Sequence, residues 1–228
     1  MSDPRIIVSD DPTLVVADSL VAAAARGAQI ALTGGSTPRL AYERAAAAGG
    51  DWSRSTLWFG DERCVSPEHE HSNYGMAKAA LLDRLAGPQP EVRRIAAERG
   101  PGPAAEAYQR DLTQALGPVP RLDLVLLGLG SDGHCASLFP ADPALEAVER
   151  LAVGVEHPGL APFVPRVTLT LVVLNAAREV VFLVTGAGKS KAVARAFAGP
   201  ATPAVPASLV RPTGRLMVVL DDAAGQRL

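Results

Sequence analysis

Short apolar runs alternate along this chain with Ala-rich stretches of helical length, and this alternation constrains the fold more than any other feature of the sequence. Several of the runs are apolar at nearly every position rather than at every second one. Strands with apolar side chains on both faces are typical of parallel sheets that helices cover on both sides. We therefore predict an α/β fold in which a mainly parallel central sheet is flanked by helices on both faces.

The boundaries of these elements follow from where the apolar runs and the helical stretches end. The predicted strands are residues 29–33, 56–59, 122–127, 167–171, 180–185 and 216–220, and the predicted helices are residues 38–48, 73–85 and 189–197. Two stretches rich in Pro and Gly, residues 100–103 and 199–206, are predicted to be surface loops. No repeat, low-complexity tract or linker interrupts the chain, so residues 1–228 are expected to form a single domain.

The charge and the cysteine content argue against several classes of protein. With 22 basic and 24 acidic side chains the formal net charge is -2, and general nucleic-acid binding depends instead on clustered Lys and Arg. Two cysteines do not make a disulfide framework, no secretion signal opens the sequence, and no apolar run approaches the roughly 20 residues that span a bilayer. We expect a cytoplasmic monomer or weak homodimer with neither a nucleic-acid nor a membrane partner.

Glycines and polar residues directly follow four of the predicted strands. In open α/β sheets, ligands bind beyond the carboxyl ends of the strands, where such segments meet at one edge. The segments are Thr-Gly-Gly-Ser-Thr-Pro at 33–38, Gly-Asp-Glu-Arg at 60–63, Gly-Leu-Gly-Ser-Asp-Gly-His at 128–134 and Thr-Gly-Ala-Gly-Lys at 185–189. We expect the functional site where these four segments meet.

The first segment has the composition of a phosphate-binding turn. Gly34 and Gly35 let the backbone approach an anion, while Ser36 and Thr37 offer hydroxyl groups that can also cap the following helix. Pro38 suits the first helical position, where its missing N–H costs nothing. Exposed amides and the helix dipole then favour a phosphate group. A plain strand-to-helix turn is an equally good interpretation of these residues by themselves.

The third segment matches the glycine spacing of a dinucleotide-binding turn, but Pro140 and Pro143 interrupt the helix that such a turn requires. The pair formed by Asp132 and His134 carries more information. A histidine beside a carboxylate at a strand end has the ionisation behaviour and the orienting partner that a general base needs. Taken alone, the motif fits a loop histidine with ordinary surface hydrogen bonds better than a catalytic base.

Charged residues at the other strand ends are candidates for binding an anion. Asp61 and Arg63 follow the second predicted strand, where a carboxylate can orient or accept a proton and a guanidinium can bind phosphate or carboxylate through two hydrogen bonds. A structural ion pair at the sheet edge is an equally good interpretation. Lys189 and Arg166 are further candidates for binding phosphate, although Lys191 lies close enough to be the alternative.

His69 and His71 have the spacing of alternate residues that share one face of an extended strand. Neither a third ligand nor a strand context accompanies them, so we predict no metal site. Cys64 and Cys135 each adjoin a candidate site residue, but nothing in the sequence supplies either thiol with its own base.

Taken in order, these segments resemble the 6-phosphogluconolactonase family, which is related to the glucosamine-6-phosphate isomerases (deaminases). The stretches that carry the resemblance are residues 32–38, 58–63, 72–76, 127–134, 136–140, 166–170, 174–177 and 182–186, followed by Lys189. Each stretch is weakly specific, whereas the ordered set is strongly specific and extends from about Leu32 to Asp221.

The resemblance implies a fold like that of ribose-phosphate isomerases and coenzyme A transferases. It also implies hydrolysis of 6-phosphoglucono-1,5-lactone to 6-phosphogluconate, in the oxidative pentose phosphate pathway, without a metal or an organic cofactor. Carried onto this chain, it makes His134 the catalytic base and Arg63 an essential substrate-binding residue, and we hypothesise that Asp132 holds the imidazole or the attacking water. The residues it implies at the phosphate are Gly35, Ser36, Thr37 and Lys189, with Arg166 as a further candidate.

Two other functions fit parts of the pattern. Glucosamine-6-phosphate deaminases are similar through Asp-Gly-His, but they continue with an Asn-Glu-Pro stretch whose Glu assists the catalytic His, whereas Ala-Ser-Leu-Phe-Pro stands at 136–140 here. A non-catalytic sugar-phosphate-sensing module keeps the phosphate turn, can lose the reacting His, and usually accompanies a DNA-binding region. His134 is retained here and we expect no room for such a region, so the lactonase interpretation is favoured.

Overall fold

In the computed structural model, which describes residues 4–228, the apolar runs of the sequence form strands and its Ala-rich stretches form helices. The strands are β1 (Arg5–Val8), β2 (Gln29–Leu32), β3 (Thr56–Phe59), β4 (Asp61–Arg63), β5 (Glu91–Val92), β6 (Leu124–Leu127), β7 (Ala152–Val155), β8 (Arg166–Leu169), β9 (Glu179–Val184) and β10 (Arg215–Leu220). The α-helices are α1 (Pro12–Ala25), α2 (Ser36–Ala48), α3 (Asn73–Ala80), α4 (Pro101–Leu116), α5 (Leu171–Ala176), α6 (Ser190–Phe197) and α7 (Asp222–Gly225). Within this described part, no helix is long and apolar enough to cross a membrane.

Seven strands form one parallel sheet in the order β1-β10-β9-β6-β2-β3-β5. Every residue of β3 and β6 is buried, as are five of the six residues of β9. Because successive side chains of a strand point to opposite faces, this burial requires packing on both sides of the sheet. The predicted α/β fold with a mainly parallel central sheet is confirmed, and five of the six predicted strands lie in this sheet.

The remaining predicted strand, residues 167–171, belongs to a different sheet. It corresponds to β8, which pairs antiparallel with both β4 and β7 in a separate three-stranded sheet. Only Gly60 separates β3 from β4, so the chain passes directly from the parallel sheet into the small one. An apolar run indicates a buried strand but not its partners, and the sequence pattern therefore does not distinguish the two sheets.

The predicted surface loop at 100–103 is wrong for three of its four residues, because α4 begins at Pro101. Pro101 and Pro103 occupy the first turn, where amide protons have no partner within the helix and where the fixed φ of proline is already helical. Gly100 precedes the helix with a φ of +91°. A Pro-Gly-Pro stretch is therefore compatible with a helix start as well as with a loop.

The three predicted helices are present, and two of them end at the predicted residues. Those at 38–48 and 189–197 correspond to α2 and α6, while the one at 73–85 ends at Ala80 as α3, and a turn of 3₁₀-helix follows at Leu82–Arg84. The long helices α1 and α4 were not predicted. For α1 the signal is present in the sequence, because Asp11 caps the helix by accepting a hydrogen bond from the Leu14 amide.

Two buried tyrosines hold the carboxyl ends of the neighbouring strands β2 and β3. The Tyr42 hydroxyl, on α2, accepts a hydrogen bond from the Thr33 amide at 2.9 Å and donates one to the Thr33 carbonyl at 2.8 Å. The Tyr108 hydroxyl, on α4, does the same with the amide and carbonyl of Phe59, at 2.8 and 3.0 Å. Burial raises the pKa of both phenols, so both stay neutral and can donate. Each satisfies a buried amide and a buried carbonyl where a strand ends.

Tyr42→Phe and Tyr108→Phe are each expected to lower the free energy of unfolding by about 1–3 kcal/mol, because each variant leaves buried backbone groups without a partner. Tyr74→Phe is the matched control. The Tyr74 side chain is half-buried and its ring packs edge-on against Phe59, so we expect its loss of a hydroxyl to cost less than about 0.5 kcal/mol. Urea unfolding measures all three variants, and equal costs at the three positions would contradict the role given to the two buried hydroxyls.

Candidate active site

A cavity of about 340 Å³ lies at the carboxyl edge of the parallel sheet, where β2, β6 and β9 end. Because these strands are parallel, the segments that follow them meet at this edge. The lining includes nine of the ten residues that the sequence predicts for the site, namely Gly34, Gly35, Ser36, Thr37, Asp61, Arg63, His134, Arg166 and Lys189. The tenth, Asp132, is hydrogen-bonded to the His134 ring.

The turn after β2 is built from glycines that the local geometry requires. Gly35 precedes α2 with a φ of +110°, a conformation that glycine adopts at little cost and other residues rarely adopt. Gly34 lies against Asn73, whose side-chain amide would collide with a Cβ at that position. The prediction that Ser36 or Thr37 caps the helix is wrong, because Gly35 occupies the cap position and no side chain makes a cap hydrogen bond.

The hydroxyl groups and the proline of this segment lie in the first turn of α2. Pro38 is therefore the third residue of the helix rather than the first, as was predicted. Thr37 Oγ1 and Thr185 Oγ1 are 2.9 Å apart, and their hydrogen bond links this turn to the end of β9. The unpaired amides at the start of α2, together with the helix dipole, make this part of the cavity favourable for an anion.

His134 lies in the tight turn that follows β6. Its Nδ1 is 2.7 Å from Oδ1 of Asp132, and its backbone amide donates to the same oxygen at 3.1 Å. A Cβ on Gly130 would collide with the imidazole, so the ring can approach the backbone this closely only where the residue is glycine. The Phe139 ring packs against the imidazole with 4.7 Å between the ring centroids. The imidazole is therefore fixed with Nδ1 engaged, which leaves Nε2 to exchange a proton.

Asp132 is ionised at neutral pH. Partial burial acts to raise its pKa, but the hydrogen bond from the His134 ring and the charge of that ring outweigh the burial and lower the pKa from 3.8 to about 2. A carboxylate that accepts a hydrogen bond from Nδ1–H holds a neutral imidazole in the tautomer whose Nε2 is unprotonated. The pair therefore has the arrangement of a base and its orienting carboxylate.

Asp61 is a buried carboxylate in the cavity wall. It accepts hydrogen bonds from Ser137 Oγ at 2.7 Å and from Asn73 Nδ2 at 3.2 Å, and the same Asn73 amide donates to the Asp61 carbonyl at 2.9 Å. The alternative interpretation of this segment as an ion pair at the sheet edge is not what the structure contains, because the partners of this carboxylate are neutral donors. Asn73, which the sequence analysis did not single out, lies between this carboxylate and Gly34.

The neighbouring carboxylate of Glu62 holds the start of α3. It accepts hydrogen bonds from the amides of Arg63, Asn73 and Tyr74, each at 2.7 Å, and from Ser72 Oγ at 3.1 Å. Burial raises the pKa of Glu62, and the three amide donors partly oppose this. The sequence signal for this network was the stretch at 72–76, which contributes to the family resemblance without any visible chemistry of its own.

Arg63 and Arg166 face each other as direct partners in the antiparallel pairing of β4 with β8. Arg63 Nη1 donates to the His71 carbonyl at 2.7 Å. Arg166 Nη2 donates to the carbonyls of Leu160 and Pro162, each at 3.0 Å, in the loop that precedes β8. Burial lowers the pKa of Arg166, the positive charge of Arg63 lowers it further, and Asp61 opposes both effects.

Lys189 lines the cavity from the turn that follows β9. Gly186 opens this turn with a φ of +92°, and its amide donates to both carboxylate oxygens of Asp221, at 3.0 and 2.9 Å. Burial lowers the pKa of Lys189, and the charge of Asp132 opposes this. Lys191, the alternative candidate, is exposed on α6. Asp221 positions the Lys189 turn across 35 residues of sequence, a relation that sequence spacing does not reveal.

The other chemically interesting side chains lie apart from this arrangement. Among residues 4–228, no group of three or more His, Cys, Asp or Glu side chains could hold a metal ion. His69 and His71 lie in a turn, with their ring centroids 5.1 Å apart and the His71 amide donating to His69 Nδ1. Cys64 and Cys135 are free thiols; burial raises the pKa of both, that of Cys64 to about 11, which disfavours the reactive thiolate.

Known sequences similar to this chain share one family. The sequence model of the family described as glucosamine-6-phosphate isomerases/6-phosphogluconolactonase matches residues 12–219. A 6-phosphogluconolactonase of Nostoc sp. is 42% identical over 87% of this chain and 84% of its own length. A 6-phosphogluconolactonase of Streptomyces coelicolor is 37% identical over 100% of this chain and 96% of its own length.

Solved structures agree with the sequence comparisons. The 6-phosphogluconolactonase from Trypanosoma cruzi superposes with a TM-score of 0.87 at 30% identity, covering 100% of this chain and 98% of its own. A monomeric glucosamine-6-phosphate deaminase has the same fold, with a TM-score of 0.80 at 16% identity over 100% of both chains. Since the family match covers most of the chain, the chain belongs to the family of glucosamine-6-phosphate isomerases and 6-phosphogluconolactonases.

Proposed function

We propose that this protein hydrolyses 6-phospho-D-glucono-1,5-lactone to 6-phospho-D-gluconate. The names of its relatives from Nostoc sp., Homo sapiens and Streptomyces coelicolor, all 6-phosphogluconolactonases, support this reaction. The observation that carries the proposal is the Asp132–His134 pair, because it places an oriented imidazole in a cavity that also presents a helix N-terminus and Lys189. A base beside an anion site matches a substrate that has both an electrophilic carbonyl and a phosphate.

The phosphate binds at the start of α2 in this proposal. The amides of the 34–37 turn and the hydroxyls of Ser36 and Thr37 donate to its oxygens, and Lys189 supplies a positive charge from the neighbouring turn. The Thr37–Thr185 hydrogen bond keeps the two turns together. Holding the phosphate aligns the lactone carbon with the base and uses binding energy from a part of the substrate that does not react.

The chemical step uses His134 as a general base. Its Nε2 takes a proton from water as the water oxygen attacks the lactone carbonyl, which gives a tetrahedral oxyanion. Asp132 accepts the Nδ1 hydrogen bond and stabilises the imidazolium that forms. The imidazolium then gives its proton to the departing ring oxygen as the ring C–O bond breaks, and the carboxylic acid that forms releases its remaining proton to solvent to give the carboxylate. Arg63 or loop amides stabilise the oxyanion.

Deamination of glucosamine 6-phosphate is a weaker candidate for this chain. The similar deaminase is 16% identical, which supports the common fold only. Isomerisation and ring opening need a second acid–base group beside the histidine, and the stretch at 136–140 provides Phe139 against the imidazole instead of a carboxylate. Lactone hydrolysis needs no such group because the substrate is already an activated ester.

The wider context is part of the same proposal. The reaction belongs to the oxidative pentose phosphate pathway, and we assign the protein to the cytoplasm. One continuous cluster of buried apolar side chains joins elements from α1 to α7, which supports the proposal that the chain forms a single domain.

His134→Ala is expected to lower kcat by about 10²- to 10⁴-fold, the contribution that a positioned general base makes. The assay is hydrolysis of freshly generated 6-phosphogluconolactone coupled to 6-phosphogluconate dehydrogenase, with the protein-free rate subtracted because the lactone also hydrolyses by itself. His157→Ala is the matched control, since His157 is exposed in a loop and has no proposed role. A parent rate equal to the protein-free rate would rule out the lactonase proposal.

Lys189→Met is expected to raise KM by about tenfold or more while changing kcat less, because the lysine binds a group that does not change during the reaction. Lys191→Met removes the same charge from an exposed position two residues away and is expected to leave both constants unchanged. If Lys189→Met lowers kcat and leaves KM unchanged, Lys189 acts at the reacting carbon rather than at the phosphate.

Asp132→Asn is expected to make folding stability less sensitive to acid. The pKa of Asp132 is lowered from 3.8 to about 2 in the folded protein, so its carboxylate stabilises the fold fully above pH 3.8 and loses this contribution as the pH falls towards 2. The difference in the free energy of unfolding between parent and variant should therefore shrink over this range. Urea unfolding at several pH values measures it, and a difference that grows with acidity would contradict the assigned pairing.

A further inference from the structure

Phe139 is a buried aromatic residue that contacts the proposed base, and no step of the proposed mechanism uses it. Its ring centroid lies 4.7 Å from that of the His134 imidazole, and the two ring planes are inclined by 40°. This arrangement is nearer to stacked than to perpendicular, so the imidazole lies against the face of the phenyl ring. The face of an aromatic ring carries negative charge density, which attracts a cation within about 6 Å of the ring centroid. The contact therefore becomes a cation–π interaction when the imidazole is protonated.

The same ring is already in contact with a permanent cation. The Arg166 guanidinium lies over the Phe139 ring, 5.3 Å from its centroid. Phe139 is 2% exposed and Arg166 is 3% exposed, so little water separates or screens the ring and the charge. Cation–π interactions are stronger in such a desolvated position than at a surface. The folded protein thus uses this ring as a contact for positive charge next to the site.

The backbone between His134 and Phe139 holds the ring in place. The chain turns back on itself at 135–138, where the amide of the last residue donates to the carbonyl of the first at 3.0 Å. Ser137, within this turn, donates a hydrogen bond from its hydroxyl to Asp61 at 2.7 Å. These hydrogen bonds do not involve the imidazole, so the ring is positioned before His134 gains a proton. A preorganised group stabilises a developing charge without the cost of reorganisation.

The charge of the imidazole changes during the proposed reaction. His134 is neutral when the substrate binds, takes a proton from water in the first step and gives it to the ring oxygen in the second. The transition states of both steps therefore carry positive charge on the imidazole that the ground state lacks. A group that attracts this charge lowers both barriers and leaves substrate binding unchanged. Asp132 attracts it at Nδ1, and Phe139 is placed to attract it at the face of the imidazole.

We propose that Phe139 is a positioning residue that accelerates lactone hydrolysis by stabilising the His134 imidazolium through the face of its aromatic ring. This inference rests on the proposed function and deepens it. Among the described residues, those that line the cavity include His134 but not Phe139, so the phenyl ring acts through the imidazole rather than on the substrate. An aliphatic side chain of similar size would fill the same space without attracting the charge.

Site-specific replacement of Phe139 by 4-fluoro-, 3,5-difluoro- and 3,4,5-trifluorophenylalanine tests the proposal. Each fluorine withdraws electron density from the ring face and nearly preserves the shape of the ring, so the attraction for a cation falls stepwise while the packing is kept. In the lactone assay at the pH of maximum rate, kcat is expected to fall with each fluorine. The trifluoro variant should lose about 2- to 30-fold, the factor that a cation–π contact provides. KM is expected to change by less than about twofold.

The same fluorinated residues at Phe197 are the matched control. Phe197, on α6, packs against the Phe182 ring with 5.0 Å between the centroids and has no role in the proposed site. Its variants are expected to keep the kcat of the parent. Phe139→Leu keeps an apolar side chain but has no aromatic face, so its kcat should fall at least as far as that of the trifluoro variant. Circular dichroism checks folding, and if Phe139→Leu does not fold, the fluorinated series decides the question.

A kcat that stays constant through the fluorinated series at Phe139, or that falls equally in the series at Phe197, overturns the inference. A loss that appears in KM instead of kcat also overturns it, because the ring would then act on substrate binding. In all of these cases a parent that hydrolyses the lactone keeps its proposed function. A parent no faster than the protein-free reaction overturns the proposed function and, with it, the role given to Phe139.

Discussion

A parallel strand that ends inside a protein leaves its last peptide groups without the partners that the sheet supplied, and most of this structure depends on how those groups are satisfied. At the ends of β2 and β3 the partners are two tyrosine hydroxyls from α2 and α4, which bond Thr33 and Phe59. At the turn after β9 it is the carboxylate of Asp221 that binds the Gly186 amide. Tyr42 lies on the helix that follows β2, whereas Tyr108 and Asp221 come from elements distant in sequence. The packing of the helices and the position of the cavity segments are therefore set together.

Buried carboxylates connect this framework to the site. The Glu62 carboxylate accepts hydrogen bonds from three backbone amides and from the Ser72 hydroxyl. These hydrogen bonds offset much of the cost of burying the side chain. One of the amides belongs to Asn73, whose side chain bonds Asp61 and lies against Gly34. The turn at 34–37 and strand β4, which carries Arg63, are thus positioned by one network of short contacts. A change at Asn73 would disturb both, although it is neither charged nor a candidate for the chemistry.

The local sequence was sufficient to predict those parts of the site that depend on local geometry. Asp132 and His134 are two residues apart, and the turn that joins them also brings their side chains together, so motif and contact coincide. The strand ends were predictable for a similar reason, because apolar runs identify the buried strands and parallel pairing places their ends at one edge. The pairing of Arg63 with Arg166 spans about a hundred residues and depends on β8 joining the small sheet instead of the large one.

The incorrect predictions have a common physical origin. Gly and Pro indicate where a chain has special backbone geometry, but the same residues are common both in loops and at the starts of helices. The beginning of α4 at Pro101 illustrates this. Serine and threonine before a helix likewise suit either a cap or a tertiary hydrogen bond. Thr37 makes a tertiary hydrogen bond, with Thr185 just after β9, and Gly35 takes the cap position. In both cases the deciding partner lies outside the local segment.

The proposed reaction changes the charge of the substrate at one end only, which sets a limit on how strongly that end should be held. In the proposed mechanism the lactone enters with a neutral carbonyl and leaves as a carboxylate, so a guanidinium that stabilises the oxyanion also retains the product. In this proposal Arg166 moderates the retention. Its Nη2 is already bonded to the carbonyls of Leu160 and Pro162, and Asp61 contributes an opposing charge nearby. In the proposed mechanism, a guanidinium whose Nη2 is already bonded holds positive charge near the reacting carbon, but it offers the product carboxylate fewer hydrogen bonds than an unengaged guanidinium would.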